Sequence, residues 1–276
     1  MSAAAPVARR PRWLDSVGVL GVIGLGFTVW LGLWITPPDR TQGDLARLLY
    51  IHPPIATVAL YWVGAVAAGG SLLYLWPRTR SFFWDRLAAS AVEVGAVFSA
   101  LTLVTGSLWG RPAWGTWWTW DARLTSTALL LILEIGYLAL RRVPADQAAR
   151  AKRCAVAALL IAVDIPLVHF SVDWWNTLHQ GGTFIDPGFQ IHASASMSWT
   201  FLLGFIAFSL VFVWLLGVRY QIEVLEDAVG AHELEVSLAE RWNEDGELVG
   251  AGAGAGAGAD GGAATLIGPS DGGVAP

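Results

Sequence analysis

Histidines and a run of tryptophans carry the chemistry open to this sequence. Trp109, Trp114, Trp117, Trp118 and Trp120 fall within a dozen residues, interleaved with Arg111, Asp121 and Arg123. His52 stands just before Pro53-Pro54. His179 lies in a second aromatic run, Asp173-Trp174-Trp175-Asn176-Thr177-Leu178-His179-Gln180-Gly181. Imidazole is the common protein ligand for iron in a porphyrin. Aromatic rings can form a platform for a flat, apolar ligand, and guanidinium groups can take its acidic substituents. Tryptophans also gather at membrane interfaces, and a single histidine at a helix end is most often a hydrogen-bonded interfacial residue. On residue type alone, belt and platform both stand.

The elements that must position these residues are apolar helices. Of 276 residues, 55% are hydrophobic and 14% charged, well below the charged fraction of a soluble domain. Six apolar segments approach the ~20 residues a bilayer core requires: 16–35, 54–76, 87–108, 124–140, 154–172 and 196–218. In lipid such segments must be helical, so the fold class is all-α, a polytopic membrane protein with six transmembrane helices. Gly110, Pro112 and Gly115 argue against a continuous helix through the tryptophan stretch, which reads as a loop.

Charge sets the orientation. Arg9, Arg10, Arg12, Arg78, Arg80, Arg86, Arg141, Arg142, Arg150, Lys152, Arg153 and Arg219 fall on one side, and only Arg40, Arg47, Arg111 and Arg123 on the other. The positive-inside rule places both termini in the cytoplasm. Loops 36–53, 109–123 and 173–195 then face outward, carrying His52, His179 and the tryptophans together. His169 and His192 lie near the outer ends of the fifth and sixth segments, and His232 lies in the tail.

Four divisions follow: a cytoplasmic lead-in (1–12), the six-helix domain (13–218), a helix-compatible cytoplasmic segment (219–248) and a Gly/Ala-rich tail (249–276) whose composition cannot bury a core. The acidic net charge of −5 resides in the tail; the membrane body is basic. Basic residues in short connections, rather than along one face, give no nucleic-acid signature. A single cysteine, Cys154, excludes a disulfide framework and a thiolate cluster; it reads as a small buried apolar residue. Glu93, Glu134 and Asp164 lie inside spanning segments, where a charge is paired or functional. Pro166 is expected to kink the fifth helix.

Trp114-Gly115-Thr116-Trp117-Trp118-Thr119-Trp120-Asp121-Ala122-Arg123-Leu124-Thr125-Ser126 resembles the tryptophan-rich "WWD" signature of the haem-handling superfamily of cytochrome c maturation. The residues after the aspartate are similar to those of its CcmC branch; the CcmF and CcsA-type branches usually carry Trp-Asp-Pro. The run 173–181 and Tyr50-Ile51-His52 before a proline are further CcmC-like motifs, and the resemblance covers about 13–218. It implies a non-covalent haem b on the extracytoplasmic (periplasmic) face of the bacterial inner membrane, with His52 and His179 as axial iron ligands. Trp114, Trp117, Trp118, Trp120 and Asp121 would lie against the ring, and Arg123 would meet a propionate. The implied activity is haem delivery, without classical turnover chemistry: loading of the haem chaperone CcmE, with the ABC transporter subunits CcmA and CcmB and the small membrane protein CcmD as partners. Asp121 is expected to accept from an indole N–H or to hold Arg123. A haem or small-solute permease passing Glu93 and Asp164, and a membrane-embedded b-type electron-transfer protein, are the competing readings. The latter usually places its ligands within the spanning helices.

Overall fold

A computed structural model of the chain describes residues 11–40, 42–179 and 194–259, with side chains through residue 244. The readings placed on His192, on residues 1–10 and 260–276, and on most of loop 173–195 lie outside the described residues. Two compact units divide the chain, Met1–Val224 and Leu225–Pro276; the candidate site belongs wholly to the first.

All regular structure among the described residues is helical. The elements are α1 (Arg12–Trp30), prolonged by a π-helical turn to Ile35, then a 3₁₀ segment Asp44–Tyr50, α2 (His52–Thr57), a second π turn Val58–Trp62, α3 (Val63–Leu75), α4 (Phe82–Trp114), α5 (Ala122–Arg142), α6 (Gln147–Trp174) and α7 (Ala195–Ala259). Six stretches are long and apolar enough to cross a membrane: Arg12–Ile35, Asp44–Leu75, Phe82–Trp114, Ala122–Arg142, Gln147–Trp174 and Ala195–Glu244. This is the all-α, multi-pass architecture expected from the apolar segments.

Local sequence starts and stops these helices. Ser81, Asp121 and Asp146 occupy the N-cap positions of α4, α5 and α6 and accept from Phe83, Leu124 and Ala149 backbone N–H groups, satisfying donors the first turn leaves orphaned. Inside the spans, several threonine hydroxyls bond their own helix. Thr28, Thr57, Thr102, Thr105, Thr127 and Thr200 each donate to the carbonyl four residues back at 2.7–2.8 Å, as a low-dielectric environment demands.

Helix association in lipid depends on close packing rather than on the hydrophobic effect, and small residues provide it. Gly18, Gly21 and Gly24 on α1 face Trp214, Val211 and Ala207 of α7. Gly95 of α4 admits both Val63 and the Glu134 carboxyl. Gly204 of α7 lies so close to the 3₁₀ segment that an added Cβ would stand 2.6 Å from the Tyr50 carbonyl oxygen. A backbone atom cannot rotate away, so Gly204→Ala is expected to destabilise the bundle by about 1–3 kcal/mol, the cost of overpacking. Thermal unfolding in detergent, monitored by gel filtration, would check this; an unshifted transition would contradict the packing.

One expectation is corrected. The stretch Trp109–Trp114 is helix, not loop: α4 runs to Trp114 and ends only at Gly115, whose φ of 78° gives the left-handed cap that favours glycine. Pro112 sits in the last turn, where its missing N–H leaves a single helical carbonyl unpaired. α6 runs as one helix across Pro166. At the other end of the chain, α7 runs to Ala259.

The intramembrane acids separate. Glu93 pairs with Arg219. Glu134 is buried beside Ser99, and Asp164 is buried with no hydrogen-bond partner among the described residues. Cys154 is a free, buried thiol within the core.

Candidate functional site

His52 is the first residue of α2, with prolines at the first helical positions, which proline's fixed φ suits. Its ring leans on α4. α4 is opened there by Gly106, whose added Cβ would stand 3.1 Å from His52 Cε1. Trp109 meets the same imidazole edge-on, ring centroids 5.9 Å apart. Its indole Nε1 donates to Gln42 Oε1 at 3.0 Å, tying α4 to the segment that precedes His52.

His179 comes from the other side of the site, beyond the end of α6. Its ring centroid is 6.4 Å from that of His52, with the planes tilted by 43°, and 5.9 Å from that of Trp114. Trp114 is seated by Gly110, where a Cβ would fall 2.9 Å from its Cε3. Thus the glycine that reads as a helix breaker is the floor under a site tryptophan.

Asp121 joins the two aromatic runs. One carboxylate oxygen caps α5 through Leu124 N–H at 2.8 Å, and the other accepts Leu178 N–H at 3.3 Å. The residue beside His179 is therefore anchored to the start of α5. The cap position, one residue before the helix, turns the carboxylate toward these backbone donors, while its charge also acts on Arg123.

Arg123, half-buried at the start of α5, reaches α6 instead. Its Nη2 donates to the His169 carbonyl at 2.6 Å and its Nε to Ser171 Oγ at 3.3 Å. A guanidinium carries five N–H donors, so these bonds fix the group without exhausting it. Arg111 donates to the Gly115 carbonyl at 2.7 Å and lies 6.0 Å from the Trp117 ring. Trp118 and Trp120 meet edge-to-face at 5.4 Å. Trp117 and Trp120 are 56% and 80% exposed, whereas the Trp118 indole N–H is buried without a hydrogen-bond partner among the described residues. The result is an aromatic shelf with one covered edge and one open edge.

The structure thus brings together His52, His179, Trp109 and Trp114, and holds Asp121 and Arg123 in supporting positions. It does not bring His169 into the pair: its Nδ1 meets the Tyr61 hydroxyl. Gln42, Thr105, Gly106 and Ser171 are neighbours that sequence reasoning missed.

Chemically, two imidazoles can share one metal ion. Metal–imidazole bonds of about 2 Å on each side, with the ring radii added, set ring centres roughly 6 Å apart, which matches the observed separation. No group of three or more His, Cys, Asp or Glu gathers among the described residues. A two-imidazole set suits a metal that brings its own equatorial donors, and the aromatic shelf suits a flat, apolar carrier of that metal.

Comparison with known proteins agrees. Residues 4–235 match the family model CcmC, described as heme exporter protein C. The chain is 38% identical over 259 residues to heme exporter protein C of Bradyrhizobium diazoefficiens, covering 90% of each chain. It is 37% identical over 212 residues to the protein of that name from Haemophilus influenzae, covering 75% of this chain and 82% of the relative. For the Escherichia coli K12 protein of that name the identity is 35% over 197 residues, covering 71% and 78%.

Proposed function

Because the chain belongs to the CcmC family, we propose that it holds haem b non-covalently between His52 and His179 on the extracytoplasmic membrane face and passes it on for cytochrome c maturation. The observation that carries this reading is the pair of imidazoles 6.4 Å apart beside a tryptophan shelf. The orientation rests on the bias of Arg and Lys toward the opposite connections. The haem chaperone CcmE is the proposed recipient, with CcmA, CcmB and CcmD as companions in the same system.

Each residue has a definable task. The two histidines ligate iron. Trp114 packs on the His179 side, and Trp117, Trp118 and Trp120 cover porphyrin surface, each large ring hiding up to about 150–250 Å². Arg123 offers its remaining donors to a propionate. Asp121 holds the His179 strand against α5. The exposed edge of the shelf leaves haem accessible to a recipient. Binding must stay reversible: about 8 kcal/mol corresponds to micromolar dissociation and about 12 kcal/mol to nanomolar.

Titration of the detergent-purified protein with haem tests the reading. A low-spin spectrum saturating at a single haem per chain is expected. The Trp117→Ala/Trp118→Ala double variant is expected to insert normally but to bind haem at least about 10-fold more weakly, since losing two large rings removes several kcal/mol of burial. It is also expected to transfer less haem to purified CcmE. Absence of haem binding by the native protein would sink the proposal, and unchanged binding and transfer by the double variant would remove the platform from it.

A further inference from the structure

The Thr105 hydroxyl occupies a defined place beside His52. Its Oγ1 lies 2.9 Å from His52 Nδ1. The same oxygen is 2.7 Å from the Leu101 carbonyl, with the Thr102 carbonyl more distant at 3.3 Å. A hydroxyl has one proton. Carbonyl oxygens only accept, so that proton is spent on the helix, and toward the imidazole the hydroxyl can act only as acceptor. His52 Nδ1 must therefore carry the hydrogen and donate it.

We propose that Thr105 is a positioning residue that fixes His52 as the Nδ1–H tautomer and presents its Nε2 lone pair to the haem iron. The proposal rests on the reading of His52 as an iron ligand. Metal-binding histidines are commonly oriented by such a bond from the second ring nitrogen, which also raises the basicity of the ligating one. Here the acceptor is a neutral hydroxyl whose direction is set by its own helix. The ring lies against α4 at Gly106, where an added Cβ would stand 3.1 Å from Cε1, and rotation about its Cβ bond would break the bond to Thr105.

The test compares Thr105→Val, which keeps the shape and removes the acceptor, with Thr105→Ser, which keeps the acceptor. Thr105→Ala serves as a second deletion should the valine disturb packing. Haem affinity by titration and the midpoint potential of bound haem are the readouts. The valine and alanine variants are expected to bind haem roughly 10- to 100-fold more weakly, the usual cost of losing such an outer partner. Their midpoint potential should rise, because a less basic axial ligand stabilises ferric iron less. Serine should restore both. A role in packing alone would not move the potential of the haem that remains bound. Native affinity and potential in folded Thr105→Val and Thr105→Ala protein would overturn the proposal. His52→Ala, run alongside, separates the two levels: if it alters the spectrum while the threonine variants do not, only the Thr105 proposal fails. If His52→Ala leaves haem unchanged, the ligand assignment fails with it.

Discussion

His52→Ala and His179→Ala are each expected to lower haem affinity by at least about 100-fold, above the roughly 10- to 100-fold that loss of an outer-shell partner costs. Each removes one of two axial donors. His169 is the one other histidine described within the first compact unit, and its ring meets those of Tyr61 and Phe170 rather than those of His52 and His179. A five-coordinate, high-spin spectrum at high haem concentration is the expected signature of either single variant; the double variant should bind little beyond the apolar background of the tryptophans. His169→Ala makes the internal control. It leaves the backbone carbonyl that holds Arg123 and is expected to keep the low-spin spectrum. Undiminished, unchanged haem in both His52→Ala and His179→Ala would refute the two-histidine site. Loss of the low-spin spectrum in His169→Ala instead would shift the ligand assignment to α6.

How far this site was legible depended on the range of each interaction. Spans could be read because hydropathy is a local property, and the tryptophan and histidine motifs because their residue types are chemically rare. The limits of α4 were misread for a local reason as well. Gly110 and Pro112 look like breakers, but Gly110 is required by the ring of Trp114 and Pro112 sits where a helix is already running out of partners. Gly115, with its positive φ, is the actual stop. Asp121 stands out in the sequence, and an Asp just before an apolar helical segment is an ordinary N-cap pattern, but its bond to Leu178 N–H depends on the fold. Thr105 could not be assigned from sequence at all. It is 53 residues from His52, and its role exists only once α2 lies against α4. The same applies to the basic residues. As a set they report orientation, but nothing local distinguishes Arg141 from its neighbour Arg142.

Arg141→Leu is expected to be the most destabilising single change, by about 3–5 kcal/mol, the usual cost of leaving a buried charge unpaired. Arg141 bonds Asp85 through both Nη atoms at 3.0 and 3.1 Å and Glu223 at 2.8 Å. It thereby joins the start of α4, the end of α5 and α7. The side chains of Asp85, Glu223 and Arg141 are only 2%, 8% and 9% exposed, so water cannot take over the solvation. Arg219 continues the chain of charges to Glu223 and Glu93. By contrast, Asp44 beside Arg47 is 78% exposed, and such surface pairs contribute only about 0–1 kcal/mol. Thermal unfolding of the detergent-purified variants would measure the difference. If the penalty is orphaned charge, removing Asp85 and Glu223 together with Arg141, as leucines, should recover much of the loss, since apolar replacement of a whole buried ion group is often neutral or stabilising. If the triple variant is no better than Arg141→Leu, the cost lies in packing and the charge argument fails. Haem gives an independent readout. His52, Thr105 and Trp114 lie near the opposite ends of α2 and α4 from Asp85, so the fraction of Arg141→Leu that survives purification should show the native haem spectrum. A changed spectrum in that fraction would mean that the ion group sets the geometry of the site as well as the stability of the bundle.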